Sequence, residues 1–127
     1  MIAHPLRRIM LGVAVLCLLV LAWNGLIGGL HQLPQAQTTG QKVQTITQLA
    51  YGVLSLLGIV TTFRGPRWNP VVLASWAVSV TAAAGFATVA WGGASLITGM
   101  AAAGAAFLIA AAIIWMLRVG TQGLTGT

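Results

Sequence analysis

Gln41, Gln44, Gln48, Tyr51 and Ser55 recur every three or four residues, the spacing that places side chains on one face of a helix. All five are polar and none is charged. If the preceding segment folds back as a hairpin centred near residue 36, Asn24 falls at the depth of Gln48, with His31 and Gln32 at the rim. Asn24, His31, Gln44, Gln48, Tyr51 and Ser55 are therefore the candidate ligand-binding set, a neutral polar pocket opening to one side of the molecule. Such a pocket suits a neutral ligand, a quinone head group or a pigment carbonyl. The plainer reading is that Asn24 and Gln48 satisfy each other across the hairpin and fix its register, because interhelical amide bonds are ordinary glue between apolar helices.

Catalytic groups are scarce. The 127 residues include six Lys or Arg and no Asp or Glu. Side-chain carboxylates are thus missing as general acids or bases, as the third member of a triad, and as an oxygen cage for a divalent cation. Tyr51 could give up a proton, but no motif positions a base for it. His4 and His31 fall on opposite sides of the expected topology and cannot share a metal, and a lone rim histidine is a weak case for an axial haem or chlorin ligand. Cys17 stands alone within an apolar run and reads as a packing residue. The expectation is a non-catalytic chain with no resident cofactor or metal. The missing acids also weigh against ion-coupled transport, which relies on an intramembrane carboxylate or its equivalent.

The elements that must carry these residues follow from hydropathy. The chain is 58% apolar and only 5% charged, where a soluble domain carries about 25% charged residues. Four uncharged or nearly uncharged apolar runs cover about 9–30, 43–63, 70–91 and 95–117. At 1.5 Å per residue, runs of about 20 residues cross a hydrocarbon core of about 30 Å. The first run follows Arg7 and Arg8 and contains a signal-like Val20-Leu21-Ala22, yet its apolar character continues past Ala22, so it reads as a retained helix. The expected fold is all-α and membrane-integral, a single domain over 1–127 built as an up-down-up-down four-helix bundle.

Orientation follows from the cations. Arg7 and Arg8 precede the first run, Arg64 and Arg67 lie between the second and third, and Arg118 follows the fourth, so all five share one side, while Lys42 lies on the other. The positive-inside rule then places both termini in the cytoplasm, in a plasma (inner) membrane. These arginines are suited to anionic lipid head groups, at about 1 kcal/mol per cation, or to an acidic partner subunit. Nucleic acid is not indicated, because the arginines are dispersed and, Trp68 apart, lack aromatic neighbours for bases to stack on. Phe63, Trp68 and Trp115 mark the cytoplasmic interface and Trp91 the outer one, while Trp23 and Trp76 lie deeper as packing residues. Thr38 and Gln41 fit a capping box, Asn69 and Pro70 an N-cap followed by proline, and the tail from Gly120 onward is expected to be loosely ordered.

Helices in lipid associate through close packing, which small residues permit. Gly25 and Gly29 form one such pair. Ser75, Ser79, Ala83 and Ala87 make a four-residue stripe in the third run, and Thr98, Ala102, Ala106 and Ala110 another in the fourth. They seal the bundle, or one of them docks a helix of another membrane subunit or of a second copy.

The first hairpin, an Arg-led helix ending Asn24-Gly25-Leu26-Ile27-Gly28-Gly29-Leu30-His31, a short polar loop, and then Tyr51-Gly52-Val53-Leu54-Ser55-Leu56-Leu57-Gly58, resembles the DoxX-like group of small four-helix membrane proteins. The likeness covers the first half of the chain and rests on glycine and leucine patterns. It implies a subunit role beside respiratory or thiol-related membrane oxidoreductases, as an accessory or quinone-facing component, and transfers no catalytic residue. Together with the composition it favours an accessory or stabilising subunit of a larger respiratory or photosynthetic membrane complex. The alternative is a module that binds or passes a neutral lipid-soluble ligand such as a quinone.

Overall fold

A computed structural model describes residues 4–65, 67–93 and 95–124. All regular structure among them is helical: α1 (His4–Trp23), a π-helical turn (Asn24–Gly28), α2 (Gly29–Gln32), a 3₁₀ turn (Leu33–Gln35), α3 (Thr39–Arg64), α4 (Asn69–Ala90) and α5 (Leu96–Leu124). Four helical stretches are long and apolar enough to cross a membrane: Pro5–Gln35, Thr39–Arg64, Asn69–Ala90 and Leu96–Thr121. The first runs unbroken through the π turn into α2.

The boundaries follow local chemistry. The Thr38 hydroxyl accepts from the Gln41 N–H at 3.1 Å while Gln41 Oε1 accepts from the Thr38 N–H at 3.3 Å, the reciprocal capping box that starts α3. Asn69 does not cap α4 as expected. It lies inside the first turn, ahead of Pro70, and its Nδ2 donates to Thr62 Oγ1 at 2.9 Å, stitching α4 to the end of α3. Gly93 takes φ +65° in the turn before α5, a left-handed conformation that a side chain would strain. At the other end α5 continues to Leu124 where a loose tail was expected. Gly120 is buried against Leu11 and the Arg7 carbonyl, and the Thr121 hydroxyl donates to the Leu117 carbonyl at 2.8 Å, so contact with α1 holds the last turns.

Successive long helices run antiparallel, and α1 returns to α5 to close the ring. Gly58 meets Leu18 and Gly25 meets Gly52 between α1 and α3, while Gly85 meets Ala103 and Gly99 meets Val89 between α4 and α5. Leu11, Ala14 and Leu18 of α1, Leu73 and Trp76 of α4, and Ala110, Ile113 and Leu117 of α5 fill the centre with Tyr51. Trp76 is the largest fully buried side chain. Trp23, expected to pack inside, is instead 70% exposed on the outer face of α1. Between α4 and α5, Ala82, Gly85, Phe86, Val89, Leu96, Gly99 and Met100 line an apolar groove of about 250 Å³.

The small-residue stripes are partly displaced. Ala83 is buried and Ser79, Ala87, Ala102 and Ala106 are half-buried, but Ser75 and Thr98 are exposed. A four-residue step overshoots a 3.6-residue turn by about 40°, so a strict stripe drifts off one face within a few turns. The α4 seam runs through Leu73, Trp76, Ala77 and Ala83 instead.

Candidate functional site

The polar stripe of α3 faces the bundle interior. Gln44, Gln48, Tyr51 and Ser55 are all buried, and Gln41 is half-buried. Each finds a partner on a neighbouring element, as buried polar groups must. Trp91 Nε1 donates to Gln44 Oε1 at 2.8 Å, and Gln44 Nε2 donates to Gln48 Oε1 at 3.1 Å one turn on. Gln48 Nε2 then donates to the backbone carbonyl of Asn24 at 3.1 Å. Gln41 Nε2 donates to the Ala90 carbonyl at 3.3 Å.

Asn24 and Gln48 do lie at one depth, but their side chains do not pair. The π turn begins at Asn24, and Gln48 engages its carbonyl; the Asn24 side chain reaches past Gln48 to Tyr51, its Nδ2 donating to the Tyr51 Oη at 2.9 Å. Close approach of the two helices makes this reach available. A Cβ on Gly25 would sit 2.7 Å from the Gly52 Cα, and one on Gly28 would sit 2.7 Å from Gln48 Nε2. Gly29 lies in the same way against the Leu49 side chain. The Gly25 and Gly29 pair thus packs as expected, with Gly52 as the counterpart that spacing alone did not single out.

Below this level the chain of hydrogen bonds passes to α4. Ser55 Oγ donates to the Tyr51 carbonyl at 2.7 Å and accepts from Trp76 Nε1 at 2.8 Å. Two tryptophans, Trp76 and Trp91, therefore supply donors to the α3 stripe. Sequence reasoning placed both by depth and assigned neither a partner. The signal was their separation: they stand fifteen residues apart in α4 and its cap, just over four turns, and so address the same face of α3. His31 is exposed on α2 at the rim and has no hydrogen bond to the stripe among the described residues. His4 starts α1 at the other end, and its side chain lies outside the described residues.

The five arginines gather at one end of the bundle, because successive long helices run antiparallel and the start of α1 meets the end of α5. Arg8, Arg64, Arg67 and Arg118 are exposed and Arg7 is half-buried, its Nε enclosed without a hydrogen-bond partner among the described residues. The Arg67 guanidinium lies 6.0 Å from the centroid of the Trp68 ring, within cation–π range. Lys42 is exposed at the opposite end.

This arrangement holds helices in register, presents a basic end, and aligns no nucleophile with a base among the described residues. No family model, no curated protein and no solved structure matches the chain.

Proposed function

We propose that the chain is a non-catalytic multi-pass protein of the plasma (inner) membrane, both termini cytoplasmic, serving as an accessory or stabilising subunit of a larger respiratory or photosynthetic complex. The observation that carries this reading is the outer face of α5. Ala101, Gly104, Ala105, Ala111 and Ala112 are exposed there, with Leu108 and Trp115 as the large side chains on the same face, and a Cβ on Gly104 would meet nothing within 4 Å. Lipid tails gain nothing from small side chains, whereas a neighbouring helix does, because its backbone can come close. Within the described residues the bundle leaves that face uncovered. The charge distribution supports the same reading: five arginines share one end of a chain without Asp or Glu, so their counter-charge comes from anionic lipid or an acidic partner.

The test is purification of the tagged protein from its native membrane in mild detergent, beside a Gly104→Ile variant. Stoichiometric partner subunits are expected with the wild type and should be depleted with the variant, whose own helicity stays intact. Recovery of a lone monomer or a homo-oligomer from the wild type contradicts the subunit role.

A second reading, a membrane module that binds or passes a neutral lipid-soluble ligand, is favoured by one observation. Asn24 is exposed on the outside of the bundle while its amide holds the buried Tyr51 hydroxyl.

A further inference from the structure

We propose that Asn24 and Tyr51 form a binding site for a lipid-soluble carbonyl compound, a ketone or quinone whose oxygen accepts their hydrogen bonds near the middle of the membrane. The proposal rests on the ligand reading above and adds to it the atoms and the depth.

Asn24 Nδ2 donates to the Tyr51 Oη at 2.9 Å. Tyr51 is 7% exposed, and its own hydroxyl proton has no acceptor among the described residues. The second amide hydrogen of Asn24 is likewise unclaimed. Rotating the amide by half a turn would let Tyr51 donate to Oδ1 and would leave both amide hydrogens free. Either arrangement presents unused N–H or O–H donors on neutral groups. The complementary ligand atom is an uncharged acceptor, and a carbonyl oxygen with two lone pairs can take both donors. Gln44, Gln48 and Ser55 are buried and bonded within the bundle, whereas Asn24 is exposed on its outside, so the Asn24–Tyr51 pair is the part of the stripe that meets the lipid.

Depth decides which carbonyls can reach the site. The Ser55–Trp76 and Gln41–Ala90 bonds set the register of α3 against α4, and interpolation between them puts Tyr51 level with Val80, halfway along α4. If α4 spans a hydrocarbon core of about 30 Å, the pair lies close to its midplane. Phospholipid ester carbonyls and water are confined to the interfaces, so neither satisfies donors at that level. A molecule dissolved in the hydrocarbon does. Access is from the side, since Asn24 is exposed, and the adjacent Trp23, 70% exposed, offers a flat aromatic surface to a ring-shaped ligand. The π turn begins at Asn24 itself, a local backbone irregularity of the kind that recurs at functional sites.

The test uses the full chain in phosphatidylcholine nanodiscs, with a decyl-substituted benzoquinone as probe and decylbenzene as the control that lacks the carbonyls. Tryptophan quenching reports occupancy, and the infrared carbonyl stretch of the probe reports hydrogen bonding. Saturable quinone binding with a lowered carbonyl frequency is expected, and none with decylbenzene. Asn24→Leu should weaken binding about tenfold and Tyr51→Phe several-fold, the scale of one or two hydrogen bonds. Quinone binding that is unchanged in both variants overturns this site but leaves the ligand reading standing. Absence of any saturable binding overturns both. Should Asn24→Leu lose its helicity, Tyr51→Phe decides alone, because it removes only the hydroxyl and keeps the ring. In native membranes, a photoreactive side chain at position 24 that crosslinks to another polypeptide also overturns the proposal.

Discussion

Ser55 carries more structure than its size suggests. Its one oxygen accepts the indole N–H of Trp76 and its one hydrogen goes to the Tyr51 carbonyl, so a single hydroxyl ties the largest buried side chain to the neighbouring helix. Ser55→Ala leaves the Trp76 N–H buried without a partner and should cost about 1–3 kcal/mol; titration with a denaturing detergent, followed by circular dichroism, measures it. Gln48→Leu removes two side-chain links at once, to Gln44 and to the Asn24 carbonyl. Interhelical hydrogen bonds in apolar surroundings average about 0.6 kcal/mol and reach about 1.7, so the same titration should show a loss of about 1–3 kcal/mol. A neutral result would remove the stripe from the account of register. The stripe itself was legible in the sequence, because a recurrence of three and four residues is a helical face whatever lies opposite. The partners were not legible. Trp91 arrives from the end of another helix, and the Asn24 carbonyl becomes an acceptor only because the backbone enters a π turn, which leaves no mark on the pattern of residue types.

At the scale of helices, glycine decides how near α1 and α3 come. A Cβ on Gly52 would lie 2.8 Å from the Leu26 N and 3.0 Å from the Gly25 carbonyl carbon, so the obstacle is backbone and cannot rotate away. Gly52→Leu should therefore separate the two helices and destabilise the bundle by about 3 kcal/mol or more, the upper end of overpacking costs. Gly12, with open space around it, is the control; Gly12→Ala should leave stability unchanged or raise it, because alanine is the better helix former by about 1 kcal/mol. The same melting experiment compares the two. Four elements and their antiparallel order were readable from hydropathy and loop length. The exact seams were not: the stripe from Ser75 to Ala87 keeps a four-residue step that drifts off one face, and it is Trp76, bonded to Ser55, that faces α3 while Ser75 is exposed. The length of α5 was also underestimated, since Gly120 looks like a helix terminator until Leu11 is placed against it.

For the whole molecule, five arginines at one end and one lysine at the other give the bundle a charge axis. On the proposed topology, the segment between α2 and α3 is external. Gln37→Cys in a Cys17→Ser background should then react with a membrane-impermeant maleimide added to intact cells, and labelling only after lysis would invert the orientation. Composition alone carried the membrane reading, because a chain with no acidic residue cannot make internal side-chain ion pairs and has too little polar surface for water. On the proposed subunit reading, what the bundle is for lies in the faces it leaves open, α5 above all. The most direct measurement of that claim is native mass spectrometry of the tagged chain ejected straight from its own membrane. The account predicts that the 13.1 kDa chain appears within a larger assembly containing different subunits in fixed ratio. A spectrum holding only the single chain, or only multiples of it, would contradict the subunit role.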